Sequence, residues 1–222
     1  GKQQPKLPHA FPPKLAQLPR NLGHRRFIHF ACRFFTSILK RSAADANLFE
    51  SEGRAVVFTD LDDMAKRVDD PALDIQPNDF MVLQNAGPTS PSGMPEAGYM
   101  PIPLKLARAG VKDIVRISDG RMSGTAFGTI VLHVTPESAL GGPLAWVQTG
   151  DQIRLSVSKR EVQWLVSDEE LAKRRAAWKA PAPALDSGYW KLYIDHVTQA
   201  DEGVDLDFLR GKRGAFVPKD NH

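Results

Sequence analysis

Four short apolar runs constrain this chain more than any other feature: Ala55-Val56-Val57-Phe58, Phe80-Met81-Val82-Leu83, Asp113–Ile117 and Thr129–Val134. Each has strand length, and runs of this kind, bounded by turn residues, read as buried strands. Thr59 or Asp60 then caps a helix to Arg67, with Asp62 and Asp63 in a first turn where negative charge suits the helix dipole. Pro101–Ala109 reads as a helix closed by Gly110 at its C′ position. The second half is more strand-like. Leu144–Val147 reads as a short strand, and Ile153, Leu155 and Val157 alternate with Arg154 and Ser156 as a half-buried one. Lys159-Arg160 turns the chain into Val162–Val166, and Ser167-Asp168-Glu169-Glu170 is a capping box that opens a helix to Trp178. Pro181 and Pro183 mark a loop, and Gly188–Thr198 reads as a last helix with Tyr189, Leu192, Tyr193 and Val197 at helical spacing. The fold class is α/β with a strong β component, a barrel or sandwich flanked by helices rather than a plain doubly wound sheet.

Charge divides the chain unevenly. Residues 1–44 hold nine of the 29 Lys/Arg and no acid, whereas the remainder holds all 26 Asp/Glu. The sequence pI near 9.0 therefore belongs to the N-terminal stretch. The body is mildly acidic, which argues against a nucleic-acid-binding core. Five prolines fall in the first twenty residues, so no helix runs through them. Residues 1–37 read as a poorly ordered basic arm, residues 38–210 as the domain and residues 211–222 as a flexible tail. The aromatic stretch Phe27–Phe35 is helical or simply sticky. Arg-rich, acid-free composition also marks organellar transit peptides, but Ser37 is the only serine in the arm. No apolar run reaches the ~18 residues of a membrane span. Cys32 is the one cysteine, which excludes an internal disulfide and a cysteine-only metal site within one chain.

The third run feeds straight into Ile117-Ser118-Asp119-Gly120-Arg121-Met122-Ser123-Gly124-Thr125. A glycine-rich loop at a strand's C-terminal end is a common ligand site in α/β folds. Gly120, Gly124 and Gly128 let the backbone approach a ligand or take positive φ, and exposed amides there form an anion-binding concavity. The bland alternative is a turn that needs glycine. Arg121 suits a substrate carboxylate through its planar fork, and suits equally an ion pair with Asp119. Glu96 follows Pro95 on a proline-stiffened loop, which makes it either a hard-cation ligand or a solvated glutamate. His133, between Leu132 and Val134, reads first as a structural histidine.

These residues, with further blocks, resemble the IlvD/Edd dehydratase family (dihydroxy-acid and sugar-acid dehydratases). The match runs from Ile38-Leu39-Lys40 to Phe208-Leu209. It includes Gly53-Arg54-Ala55-Val56-Val57-Phe58, Asn85-Ala86-Gly87-Pro88, Gly93-Met94-Pro95-Glu96, residues 117–125, His133-Val134-Thr135-Pro136-Glu137 and Gly141-Gly142-Pro143. The tail Gln199–Leu209 is most similar to the sugar-acid branch (arabonate and xylonate type). The resemblance implies a swivelling β/β/α barrel that forms the C-terminal domain of a cytoplasmic, homo-oligomeric hydro-lyase. That enzyme dehydrates a 2,3-dihydroxy carboxylic acid to a 2-keto-3-deoxy acid. It also implies an iron–sulfur cluster as Lewis acid, with Mg²⁺ nearby. Ser123 would be the base on the C2 proton, Arg121, Ser123, Gly124 and Thr125 would contact substrate, and Glu96 would ligate Mg²⁺.

The family's cluster cysteines lie in an N-terminal domain to which nothing here corresponds, and residues 1–37 do not match the sequence expected before Ile38. This predicts a truncated or frame-shifted product, inactive without that domain. It also predicts an exposed apolar patch around residues 87–99 and 119–128, where the other domain would sit. A further alternative is a protein whose basic arm binds nucleic acid or anionic lipid.

Overall fold

The computed structural model describes residues 25–30, 35–41, 44–90, 99–122, 127–182 and 185–211. Its strands are β1 (Arg25–Phe30), β2 (Phe35–Lys40), β3 (Glu50–Phe58), β4 (Phe80–Leu83), β5 (Arg116–Ser118), β6 (Ile130–Thr135), β7 (Gln152–Ser156) and β8 (Glu161–Trp164). They close into a barrel in the order β1-β2-β6-β5-β4-β3-β7-β8. The four apolar runs are its parallel side, because β3–β4, β4–β5 and β5–β6 all pair parallel. The remaining neighbours are antiparallel except β1–β8.

Register explains why these runs are apolar throughout. Val57 pairs with Val82, Val82 with Ile117, Ile117 with Val131 and Val131 with Leu39, so five side chains form one belt across five strands. The belt belongs to the cluster that also takes Ile153, Leu155, Val162 and Trp164 from β7 and β8. Only the barrel interior can be shared by strands on opposite sides, so this cluster fills it. The intervening residues Val56, Phe58, Met81, Leu83 and Ile130 point outward into a second cluster. That cluster is roofed by Met64 of α1 (Leu61–Arg67) and Leu106 of α2 (Leu104–Arg108). Burial on both faces is what a parallel strand needs and what removes alternation from its sequence.

Local rules set the boundaries. Asp60 caps α1 by accepting from the Asp63 amide at 2.7 Å, while the Asp63 carboxylate accepts from the Thr59 amide at 3.0 Å. Ser167 caps α3 (Asp168–Ala177) through the Glu170 amide at 3.2 Å, as the capping box predicts. Arg174 anchors α3 to the barrel through Asp151 at 2.6 Å, and Asp151 also accepts from the Trp164 indole at 3.1 Å. The last helix, α4 (Gly188–His196), stops two residues short of the expected Thr198. Among the described residues, no helix is long and apolar enough to cross a membrane.

Two expectations differ from the structure. Leu144–Val147 is not a strand, because Pro143–Trp146 is a 3₁₀ turn. Pro143 lacks an N–H and carries a fixed φ suited to a first helical position, and it follows a Gly142 whose Cβ would lie 1.6 Å from the Pro136 carbonyl oxygen. The stretch expected as an arm also reaches into the sheet, since β1 and the start of β2 precede residue 38. Pairing with β8 and β6 gives these strands partners that propensity alone does not announce. Residues 1–24 and 212–222 lie outside the described residues.

Leu39 is fully buried where β2 joins the barrel's belt. Replacing it by alanine should lower unfolding free energy by about 2–5 kcal/mol, measured by urea denaturation. A change below about 0.5 kcal/mol, the range of ordinary surface substitutions, would argue against closure through β2.

Candidate active site at one rim of the barrel

Four adjacent parallel strands must release their chain at the same rim. The segments after β4 (84–90), β5 (119–122) and β6 (136–142) therefore gather there, and two carboxylates with almost no solvent contact hold them together. Asp119, just beyond β5, accepts from the Ala86 amide at 3.0 Å and the Ser138 amide at 2.7 Å. It thus ties all three segments. Glu137, just beyond β6, accepts from the Thr89 amide at 3.0 Å and the Thr89 hydroxyl at 2.7 Å. The Gln199 side chain grips Glu137 twice. Its Oε1 accepts from the Glu137 amide at 2.9 Å, and its Nε2 donates to the carboxylate.

The fit at this rim leaves no room at two glycines. A Cβ on Gly87 would lie 2.2 Å from Glu137 Oε2, and one on Gly120 would lie 2.8 Å from the Ala86 carbonyl oxygen. The Gly120 carbonyl in turn accepts from the His133 amide at 3.2 Å, in a residue with φ of 54°. His133 thus serves the junction with its backbone. Burial pushes both carboxyls above their usual range. At Glu137 the bonds from Thr89 and Gln199 oppose that rise, and the negative charge of Asp119 adds to it.

A second buried cluster stands on the outer face of β5. Arg116 is fully buried and spends its guanidinium on the Met100 carbonyl at 2.8 Å, the Phe127 carbonyl at 2.9 Å, the Ile114 carbonyl at 3.2 Å and Asp113 at 2.8 Å. Asp113 also accepts from the Thr129 amide and hydroxyl, at 2.8 and 2.7 Å, and from the Asp45 amide at 3.1 Å.

Of the residues singled out in the sequence, Arg121 is exposed at the rim, directly after Gly120, with Met122 buried beside it. Ser123, Gly124, Thr125 and Glu96 lie outside the described residues, as does Cys32. Their flanks are described. Tyr99 and Phe127 border the two segments and are 43% and 59% exposed. Among the described residues no group of three or more His, Cys, Asp or Glu is arranged to hold a metal ion. A single cysteine does not fit an iron–sulfur cluster, which needs several thiolates.

The burial and bonding of Arg116, Asp113 and Glu137 escaped the sequence reading. A signal for the first two was present, because Asp113 and Arg116 are opposite charges set three apart inside an otherwise apolar strand run. Charges in such a place are paired or functional.

The rim, with its glycine-rich turn and two buried carboxylates, has the form of an α/β ligand site at strand C-termini. Residues 32–204 match the family model for the dihydroxy-acid/6-phosphogluconate dehydratase C-terminal region. The chain belongs to this family. It is 52% identical over 192 residues to the L-arabonate dehydratase of Azospirillum brasilense, covering 84% of this chain and 33% of that protein. It is 51% identical to the L-arabinonate dehydratase of Rhizobium leguminosarum bv. trifolii, again over 84% of this chain and 32% of that protein. Against the D-xylonate dehydratase of Caulobacter vibrioides identity is 36%, over 77% of this chain and 29% of that protein. The chain spans about a third of the length of these relatives.

The raised Glu137 carboxyl has a consequence for stability against pH. A carboxyl whose folded pKa lies above its unfolded one contributes stability that is fully present below the unfolded value and lost as pH rises through the folded value. Glu137→Gln removes that loss. Between pH 5 and pH 8 the variant's urea midpoint should therefore gain on that of the parent chain, even if it is lower at pH 5. Parallel pH profiles for the two would refute the assignment.

Proposed function

We propose that this chain supplies one half of the active site of a sugar-acid dehydratase. The observation that carries the reading is the common rim. The segment leading to Gly93-Met94-Pro95-Glu96 and the segment containing Arg121-Met122-Ser123-Gly124-Thr125 leave adjacent parallel strands, and their roots are tied through Asp119. This supports the reading that two sequence motifs some thirty residues apart serve one place.

On this reading Ser123 takes the proton from C2 of a 2,3-dihydroxy acid. The hydroxyl at C3 departs, leaving with a proton as water, and the resulting enol tautomerises to the 2-keto-3-deoxy acid. A serine hydroxyl is a poor base in water, so neighbouring cations in a dry site must lower its pKa. Arg121, the exposed guanidinium at the rim, holds the substrate carboxylate bidentately. The backbone of Gly124 and Thr125 completes the cradle. Glu96 ligates Mg²⁺, which would supply positive charge beside the substrate oxygens. The iron–sulfur chemistry of the resemblance finds no ligand set among this chain's residues, so it belongs to the other half of the site. The relatives' names support a sugar acid of the arabonate or xylonate type as substrate, with a dihydroxy acid as the alternative.

A second reading is a folded domain without turnover. The two are separated by one assay. The chain by itself should give no 2-keto acid from L-arabonate, D-xylonate or 2,3-dihydroxyisovalerate. Combined with a separately expressed cluster-binding domain, reconstituted with iron, sulfide and Mg²⁺, it should give product from at least one. Ser123→Ala should then cut turnover by about 10²–10⁴-fold, the range for a lost general base. Full turnover in that variant would remove Ser123 from the mechanism. No product from any combination would leave the inactive-domain reading standing.

A further inference from the structure

We propose that the buried Arg116 guanidinium is a positioning residue that fixes the segment after Glu96 and the segment after Thr125 at one separation. The two segments return to the described structure at Tyr99 and Phe127. The Met100 carbonyl, one residue beyond Tyr99, and the Phe127 carbonyl are both held by the same side chain, at 2.8 and 2.9 Å. Met100 and Phe127 belong to different connections, one between β4 and α2 and the other between β5 and β6.

Geometry makes this coupling stiff. Guanidinium nitrogens are fixed in one plane, so Nη1 on Met100 and Nη2 on Phe127 cannot move independently. The plane is locked by Nε on the Ile114 carbonyl and by Nη2 on Asp113. Tyr99 closes it from one side, its ring centroid 5.5 Å from the guanidinium carbon. Gly128 leaves it no slack, because a Cβ there would lie 1.7 Å from Nη2. Asp119 ties the roots of the two segments to each other, and Arg116 ties their returns. Among the described residues, the β4–α2 and β5–β6 connections are thereby joined at two places. The catalytic consequence rests on the dehydratase reading, whereas the mechanical coupling stands without it.

The test uses Arg116→Lys, which keeps the charge but replaces a two-pronged fork with a point donor. Hydrogen–deuterium exchange on the full chain should quicken by about tenfold in residues 99–108 and 127–130 together, with β4 and β7 unchanged. In the reconstituted dehydratase the same variant should lose about 10²-fold in kcat, the scale of a displacement near 1 Å. KM should stay within about threefold of the parent, because binding of the ground state is not what is lost. Thr129→Val removes the hydroxyl bond to Asp113 and spares both carbonyl bonds, so it should lower the denaturation midpoint and leave kcat intact. Should Arg116→Lys fail to fold, Asp113→Asn, which frees the guanidinium plane, is expected to quicken exchange in the same two segments. Faster exchange in one segment only, or in neither, overturns the proposal, as does a kcat loss in Thr129→Val equal to that of Arg116→Lys. If the parent chain shows no turnover even when combined with the cluster-binding domain, the dehydratase reading falls and the exchange result still decides the coupling.

Discussion

Parallel pairing of β3, β4, β5 and β6 is the constraint from which the rest follows. It demands burial of both strand faces, which the interior belt of Val57, Val82, Ile117 and Val131 and the outer cluster under α1 and α2 supply. It also sends every connection of that side out at the same rim. Antiparallel strands would have split those connections between two ends. The meeting of the 84–90, 119–122 and 136–142 segments is therefore a consequence of strand direction, before any side chain in them is considered.

Strand direction gathers the segments but does not hold them. A loop open to a substrate cannot bury many apolar side chains, so its backbone must be the part that is anchored. Each free amide there needs an acceptor, and an unsatisfied buried one costs about 1–3 kcal/mol. Asp113, Asp119 and Glu137 fill that need, accepting amides from Asp45, Thr129, Ala86, Ser138 and Thr89. The same burial that pushes Asp119 and Glu137 upward makes these bonds strong, since a low dielectric strengthens whatever is paired.

Much of the barrel was legible in the sequence. Length and apolar continuity announced β3 to β6, alternation announced β7, and capping chemistry fixed α1 and α3. What stayed hidden depends on distant partners. The Arg25–Phe30 segment is a strand because β2 and β8 flank it, and its own residues carry no clear period. Leu144–Trp146 has strand composition, yet Pro143 and the crowded Gly142 turn it into a 3₁₀ helix. At the site, the glycine-rich turn was visible because Gly120, Gly124 and Gly128 follow closely on a predicted strand. Glu137 was not, because its meaning lies in Thr89 and Gln199, 48 and 62 residues away.

The two buried clusters divide the labour by charge. Loop roots are held by carboxylates, which accept amides, and loop returns are held by a guanidinium, which donates to carbonyls. Carboxylates leave no donor pointing at the rim, and the positive charge of Arg116 is spent on the outer face with Asp113 beside it. Both clusters are thus spent on backbone groups and lie away from solvent. Backbone anchoring at this side of the barrel thus rests on buried groups of both signs, carboxylates for amides and a guanidinium for carbonyls.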